Sequence, residues 1–384
     1  MTPRTPAILA LALGLAVAMT ASAQTITQPF SGDNPKSTVI QWIGPVKVSI
    51  DYSSPDVHGP GGEDRAGKIF GPGALVPYGL YDLGFNDCKT CPWRAGANEN
   101  TLFEVSHDVL IEGQKLKAGS YGLHMIADAA EWTVIFSNNS TSWGSFTYDP
   151  AEDALRVKVK PVPCEYREWL TYEFIERRPD RATVALEWER TSIPIRIQVE
   201  NVDDLYVAQI KRELRNRDGY SWINWVAAAE YCLDKKTHLA DGLWFAEQAV
   251  GWEGIGVANF RTLTTLARAQ LANGKKAEAE KTIARAMRPE DPGVLQLHSF
   301  GRGLQNQGEK EMALSVFQTN AKLHPNTWPV NLGLARGYAV MGDRKKAVSY
   351  ARKALPQAPD DVNRRNIENL IKQWEEPAPA GGTQ

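Results

Sequence analysis

Gly274, Gly308 and Gly342 follow one another at intervals of 34 residues, and the positions around them keep step. Five residues after each glycine comes an alanine: Ala279, Ala313 and Ala347. Eight before each comes a large apolar side chain, Leu266, Phe300 or Leu334, and the next residue is small, Ala267, Gly301 or Ala335. Glycine supplies the left-handed backbone on which a helix ends in a tight turn. Small facing side chains let two helix axes come close. Each period therefore reads as a helical hairpin. A hairpin cannot bury its apolar face alone, so copies must stack, and this part of the chain is an all-α solenoid.

The register, counted over about Gly254 to Asp360, resembles the tetratricopeptide repeat. Pro325 and Pro359 close two units, while Gln270 and Asn320 depart from the aromatic and small residues the repeat would have. Trp222 to Gly251 reads as a degenerate earlier unit and Asp361 to Trp374 as a capping helix, so the repeats fill 220–374. Ahead of them, within 201–219, Asp203 and Asp204 can cap a linker helix carrying Leu205, Tyr206, Ile210 and Leu214. The Pro-, Ala- and Gly-rich end, 375–384, reads as a disordered tail.

Upstream, over 35–200, the period is two. Leu155, Val157 and Val159 alternate with Arg156, Lys158 and Lys160, one dry face and one wet. Trp132, Val134 and Phe136, then Leu170, Tyr172 and Phe174, then Val184, Leu186 and Trp188 alternate likewise. Gly113 sits between two short apolar runs as a hairpin turn requires. Many short strands with turns between them predict an antiparallel β-sandwich. Asp56 to Pro92 is rich in Gly and Pro and is too long for a plain connection.

Arg4, the apolar run Ala7–Met19 and Ala21-Ser22-Ala23 predict a secretory signal peptide, 1–23, cleaved after Ala23 and followed by a linker, 24–34. The mature protein is then periplasmic or extracellular, and no later run is long enough to span a bilayer. A net charge of −2 leaves no excess of cations for nucleic acid. Export permits disulfides among Cys88, Cys91 and Cys164. The Cys88–Cys91 spacing lacks the following helix of a redox motif, the His in place of Pro92 that haem attachment needs, and a fourth ligand for zinc. No cofactor is called for, and Gly59 to Gly73 lacks the strand–helix setting of a phosphate loop.

Six residues before each repeat glycine stands an arginine, Arg268, Arg302 or Arg336. At about 100° per residue this position lies roughly 200° from Leu266, Phe300 and Leu334, away from the core. The resemblance implies that it lines the concave groove, where guanidinium groups would take an acidic peptide or a terminal carboxylate. Paired or solvated arginines are the plainer alternative.

Ser37-Thr38-Val39, Leu75-Val76-Pro77-Tyr78-Gly79, Trp93-Arg94-Ala95-Gly96-Ala97-Asn98-Glu99, Ala118-Gly119-Ser120-Tyr121, Glu131-Trp132-Thr133-Val134-Ile135, Trp143-Gly144 and Leu155-Arg156-Val157-Lys158-Val159 fall in this order. Together, over about 35–200, they resemble the bacterial family called domain of unknown function 2911. Leu80 to Pro92, with both spaced cysteines, departs from that family as an insertion. The family implies a domain and no activity. Chemically, Arg94, Asn98, Glu99 and His124 are candidates for a polar hydrolase-type site, with Glu99 or His124 as the base. The alternatives are a latch through Arg94 and a hydrogen-bonded core histidine. If Ser106-His107-Asp108 lies on a strand it is no triad, because neighbours on a strand face opposite ways. Twelve Trp, with Trp93 and Trp143 foremost, keep a carbohydrate-binding module open. The leading expectation is a non-enzymatic exported binding or scaffold protein, its groove holding an acidic partner and its sandwich a second ligand.

Overall fold

A computed structural model describes residues 34–59, 61–84, 88–287 and 292–376. The signal peptide, its cleavage site and nearly all of the C-terminal tail lie outside the described residues. The chain divides into two compact units, one ending at Gln198 and the other beginning at Val199.

The first unit is two antiparallel sheets. One runs in the order β1 (Lys36–Ile43), β2 (Val46–Ser53), β3 (Thr101–Val105), β6 (Gly119–Ile126), β7 (Trp132–Ser137), β8 (Asp153–Val159). The other is β5 (Gln114–Leu116), β4 (Val109–Ile111), β10 (Arg181–Gln198), β9 (Val162–Arg177). Their inner faces meet through Tyr52 of β2 and Tyr172 of β9, ring centroids 4.9 Å apart. Phe70, from the long segment between β2 and β3, inserts edge-on against Trp132 of one sheet at 4.9 Å and Trp188 of the other at 5.8 Å. Glu112 and Gly113 take positive φ and close the β4–β5 hairpin as expected.

Two expectations change. The strands are not all short, since β9 and β10 form one hairpin of 16 and 18 residues. Register shifts near Val184, Glu189 and Thr191 interrupt its ladder, and such bulges let a long ribbon twist. On β7 the alternation does not separate dry from wet, because every residue is buried. Ile135 pairs with His124, and His124 lies under Ser145 and Tyr148 of the following loop, which covers the outer face there.

The segment between β2 and β3 is held by isolated bridges, among them Asp56 to Trp169 and Tyr81 to Cys91. His58 Nδ1 meets Glu168 at 2.9 Å. The hydrogen bond and charge of Glu168 raise the pKa of His58 above 6.5. Desolvation pushes Glu168 up, but bonds from Tyr166 and His58 outweigh it and hold the carboxylate at about 2. A raised histidine pKa means that the clasp is fully present below about pH 6.5 and is lost as pH rises through the folded value. Proteolysis within 56–68, normalised to a pH-matched peptide, should therefore increase from about pH 6 to about pH 9. His58→Gln should be cleaved readily at every pH, and a flat wild-type profile would contradict the clasp.

In the second unit α1 (Val202–Glu213) precedes four helix pairs: α2/α3 (Trp222–Lys235, Leu239–Gly251), α4/α5 (Phe260–Ala272, Lys276–Ala286), α6/α7 (Val294–Asn306, Lys310–Leu323) and α8/α9 (Trp328–Val340, Arg344–Ala354). The last helix is α10 (Asp361–Glu375). Gly274, Gly308 and Gly342 make the turns within pairs at φ of 74°, 88° and 86°. Leu266, Phe300 and Leu334 are buried, as are Ala279, Ala313 and Ala347, so the counted register is the packing register. Asn320, a departure from the repeat, is buried and donates to the carbonyl of Val294. Asp203 and Asp204 do not cap α1. Asn201 stands at the cap in left-handed backbone, and the two aspartates lie in the first turn, where Asp203 accepts from Tyr231 and Asp204 meets His238. Among the described residues no helix is long and apolar enough to cross a membrane.

Candidate functional site

In the sandwich, the run Trp93–Glu99 leads into β3 and its side chains take separate directions. Trp93 is buried and stacks on Trp188 at 6.2 Å, so it is core and not the solvent-facing platform expected for a sugar module. Arg94 donates from Nη1 to the carbonyl of Asn98 at 2.6 Å and lies 4.8 Å over the ring of Phe146. It does not latch onto Glu99. Gly144, at φ 61°, leaves room for it, since a Cβ would stand 2.5 Å from the guanidinium. Asn98 adopts left-handed backbone and its Oδ1 accepts from Asn34 at 3.3 Å.

Glu99 accepts from Ser53 Oγ at 3.2 Å. His124, central in β6 and 2% exposed, has Nδ1 2.8 Å from Ser145 Oγ. Burial first, then the charge of Arg94, pushes its pKa down to about 4, so the ring is neutral near pH 7. Glu99 and His124 bond different serines, and His124 is closed to solvent, so the structure does not bring the two candidate bases together at one open site. Ser106 and His107 do touch, at 2.9 Å, because 106–108 lies between β3 and β4 and not on a strand. Asp108 instead binds Lys117 and the amide of Ala118, so no triad forms.

Cys88 and Cys91 stand at disulfide distance with Cα atoms 5.7 Å apart, in a loop followed by no helix. Cys164, the third candidate, is free, as is buried Cys232. Among the described residues no group of three His, Cys, Asp or Glu is placed to hold a metal ion. Beside Glu99 an open pocket of about 260 Å³ is lined by Asp51, Asn100 and Trp143 as well.

The solenoid carries a second cavity, about 290 Å³, lined only by first helices of successive pairs: Glu230 of α2, Phe260 and Arg268 of α4, Leu295 and Phe300 of α6, with Arg261 at one side. The arginine ladder lies along the first helices α4, α6 and α8, with Arg268 alone of the three in the cavity wall, and is less exposed than the sequence suggests. Arg268 is 14% exposed and bridges to Asp234 at 3.0 Å. Its stem crosses α6 at Gly303, where a Cβ would come within 2.8 Å of Nε. Arg302 and Arg336 are half-buried and make neither ion pair nor hydrogen bond among the described residues, and all three Nε atoms are buried without acceptors there. Burial first and then the charge of Arg302 lower the pKa of Arg336 to about 10, leaving it cationic near neutrality. The ring of His298 places Nδ1 2.8 Å from the carbonyl of Pro329. Burial first, against the opposing effect of that bond, and then the charges of Arg302 and Arg336 push its pKa down to about 4.

The sheet order, the Trp93–Glu99 run and the loop over His124 all belong to one stretch that matches a known family. Residues 34–197 match the DUF2911 family. It is described as a protein of unknown function, so the match fixes the kind of domain and carries no activity. No curated protein matches the chain in sequence. Solved structures similar to the helical part include a thermophilic TPR protein of Thermus thermophilus, 19% identical with TM-score 0.34, the match covering 44% of this chain and 90% of that one. Another is YrrB, described as a TPR protein with an unusual peptide-binding site, at 20% identity and TM-score 0.28, covering 44% and 89%. A third is PcrH from Pseudomonas aeruginosa, at 18% identity and TM-score 0.25, covering 30% and 90%.

Two features escaped the sequence reading. In the DUF2911 domain, Asn100 is 9% exposed, lines the pocket beside Glu99, and has an Oδ1 without a partner. No pattern in the chain announces an orphan oxygen. In the solenoid, the rung below Arg268 is Asp234, 34 residues earlier, and that signal could have been counted. The ladder reads Asp, Arg, Arg, Arg, so only its first arginine meets an acid from the preceding pair.

Proposed function

We propose that the solenoid is an exported binding module that holds an acidic segment, or a terminal carboxylate, of a partner protein along its first helices. The observation that carries this reading is the pair Arg302 and Arg336, half-buried cations with no acceptor among the described residues. A buried N–H donor left unpaired is costly, and a bidentate carboxylate is the group that relieves a guanidinium best. Arg268 contributes less, because Asp234 already occupies it. The neighbouring cavity, with Phe260, Leu295 and Phe300 in its wall, suits one apolar side chain among the acidic ones.

A fluorescein-labelled peptide of glutamates around one phenylalanine, with a lysine counterpart, tests this by anisotropy. The glutamate peptide should bind and weaken with added salt. Arg302→Gln with Arg336→Gln should cost about 100-fold or more, taking roughly 1.5–3 kcal/mol per charge-assisted bond. Arg268→Gln should cost less. Equal affinity of wild type and the double variant, or of the two peptides, would reject the groove.

A further inference from the structure

We propose that the open pocket of the DUF2911 domain binds a sugar ring. Its wall is assembled from distant parts of the chain: Lys36 and Asp51 at the ends of paired strands β1 and β2, Glu99 and Asn100 just before β3, and the loop from Ser140 to Trp143. The reading of the solenoid plays no part in it.

The floor is rigid. The Asn100 side-chain nitrogen donates to the carbonyl of Asn139 at 3.2 Å, and its main-chain amide donates to the carbonyl of Ser142. The side-chain contact passes over Gly122 of β6, where a Cβ would collide with the Asn100 amide and the Asn139 carbonyl. The bond to Asn139 also fixes the amide orientation, because a flip would set two carbonyl oxygens against each other. Asn100 Oδ1 is therefore a held, buried acceptor with nothing to accept. A buried acceptor left unpaired is unfavourable, and Asn100 belongs to the lining of the pocket, so a ligand donor that displaces the cover of this oxygen gains by meeting it.

The rest of the pocket narrows the chemistry. Asp51 and Glu99 add carboxylate acceptors and oppose an anion, while Lys36 opposes a cation. No set of three metal-binding side chains is present among the described residues. Trp143 is 54% exposed at the same pocket, a large apolar surface kept in water. An uncharged ligand that donates several hydrogen bonds from its edge and presents an apolar face to an indole is a pyranose. A volume of about 260 Å³ falls just under the common range for drug-sized ligands, roughly 300–1,000 Å³, and suits one ring.

The full chain is applied to an array of neutral mono- and oligosaccharides, and hits are titrated by tryptophan fluorescence. At least one sugar should bind. Trp143→Ala, an exposed position that leaves the core alone, should weaken it about tenfold or more, and Glu99→Gln should weaken it also. Trp42→Ala removes an equally exposed indole, 59% exposed, outside this pocket and should leave binding unchanged. No binding across the array, preference for a simple cation such as tetramethylammonium over every sugar, or wild-type affinity in both pocket variants would overturn the proposal.

Discussion

Replacing Phe317 by alanine is expected to destabilise the solenoid by about 3–5 kcal/mol, the loss usual for a fully buried aromatic ring. Phe317 is buried on α7 and its ring fills a hollow made by missing side chains on two neighbouring helices. A Cβ on Gly301 of α6 would overlap the ring, and on Gly333 or Gly337 of α8 it would come within 2.7 or 3.0 Å. Three glycines in helix interiors each cost helix propensity, roughly 0.8–1 kcal/mol against alanine, so the contact they permit must repay them. Truncating the ring leaves those glycines lining a void that main-chain rigidity keeps from closing. Thermal unfolding followed by helical circular dichroism measures the loss. At about 2–4 °C per kcal/mol for a unit of this size, the helical transition should fall by roughly 6–20 °C. Gly301→Ala should destabilise by about 1–3 kcal/mol through overpacking. Combined with Phe317→Leu, it should cost less than the two single changes summed. A Phe317→Ala variant that unfolds within a degree of wild type would show that the ring is not what spaces α6 from α8.

The repeat was legible because one constraint fixes many residues at once. Where Gly274, Gly308 and Gly342 turn the chain, Ala279, Ala313 and Ala347 must face the preceding helix, and they are fully buried. In the sandwich, period two located the strands but not what covers them. The loop from Asn138 to Pro150 returns over His124, the β6 partner of Ile135, and nothing in the alternation of Trp132 to Ser137 says that a loop will return there. Trp93 and Trp143 look alike in sequence, yet one fills the space between the sheets and the other stands in solvent. Glu99 does stand at an open surface, but its neighbours there are Asp51, Asn100 and Trp143, brought in by strand pairing and loop return. Arg94 and His124, which the sequence groups with it, pack instead against Phe146 and Ser145 of the loop.

Exchanging Arg302 and Arg336 for methionine should stabilise the solenoid and abolish its affinity for acidic peptide together. The two guanidinium groups are half-buried, their Nε donors have no acceptor, and the charge of one depresses the pKa of the other. Methionine is unbranched and fills the path of the arginine stem with no charge to desolvate. Replacing poorly paired buried charges by apolar side chains commonly yields about 1–4 kcal/mol, so a gain of a few degrees in the helical transition is expected. The same substitution acts on His298. Its pKa of about 4, against 6.5 unperturbed, reflects burial first; the bond to the Pro329 carbonyl opposes that shift, and those two charges add to it. A depressed histidine pKa contributes stability that is present above about pH 6.5 and lost as pH falls through the folded value. With the arginines gone that value should rise toward the unperturbed one, and acid should cost the variant less than the wild type between about pH 6 and 4. Added glutamate peptide should raise the wild-type transition by mass action and leave that of the double variant where it was. A variant less stable than wild type at neutral pH would mean that the arginines are satisfied in solution without a partner. In that case the groove would have no vacancy for a carboxylate to fill.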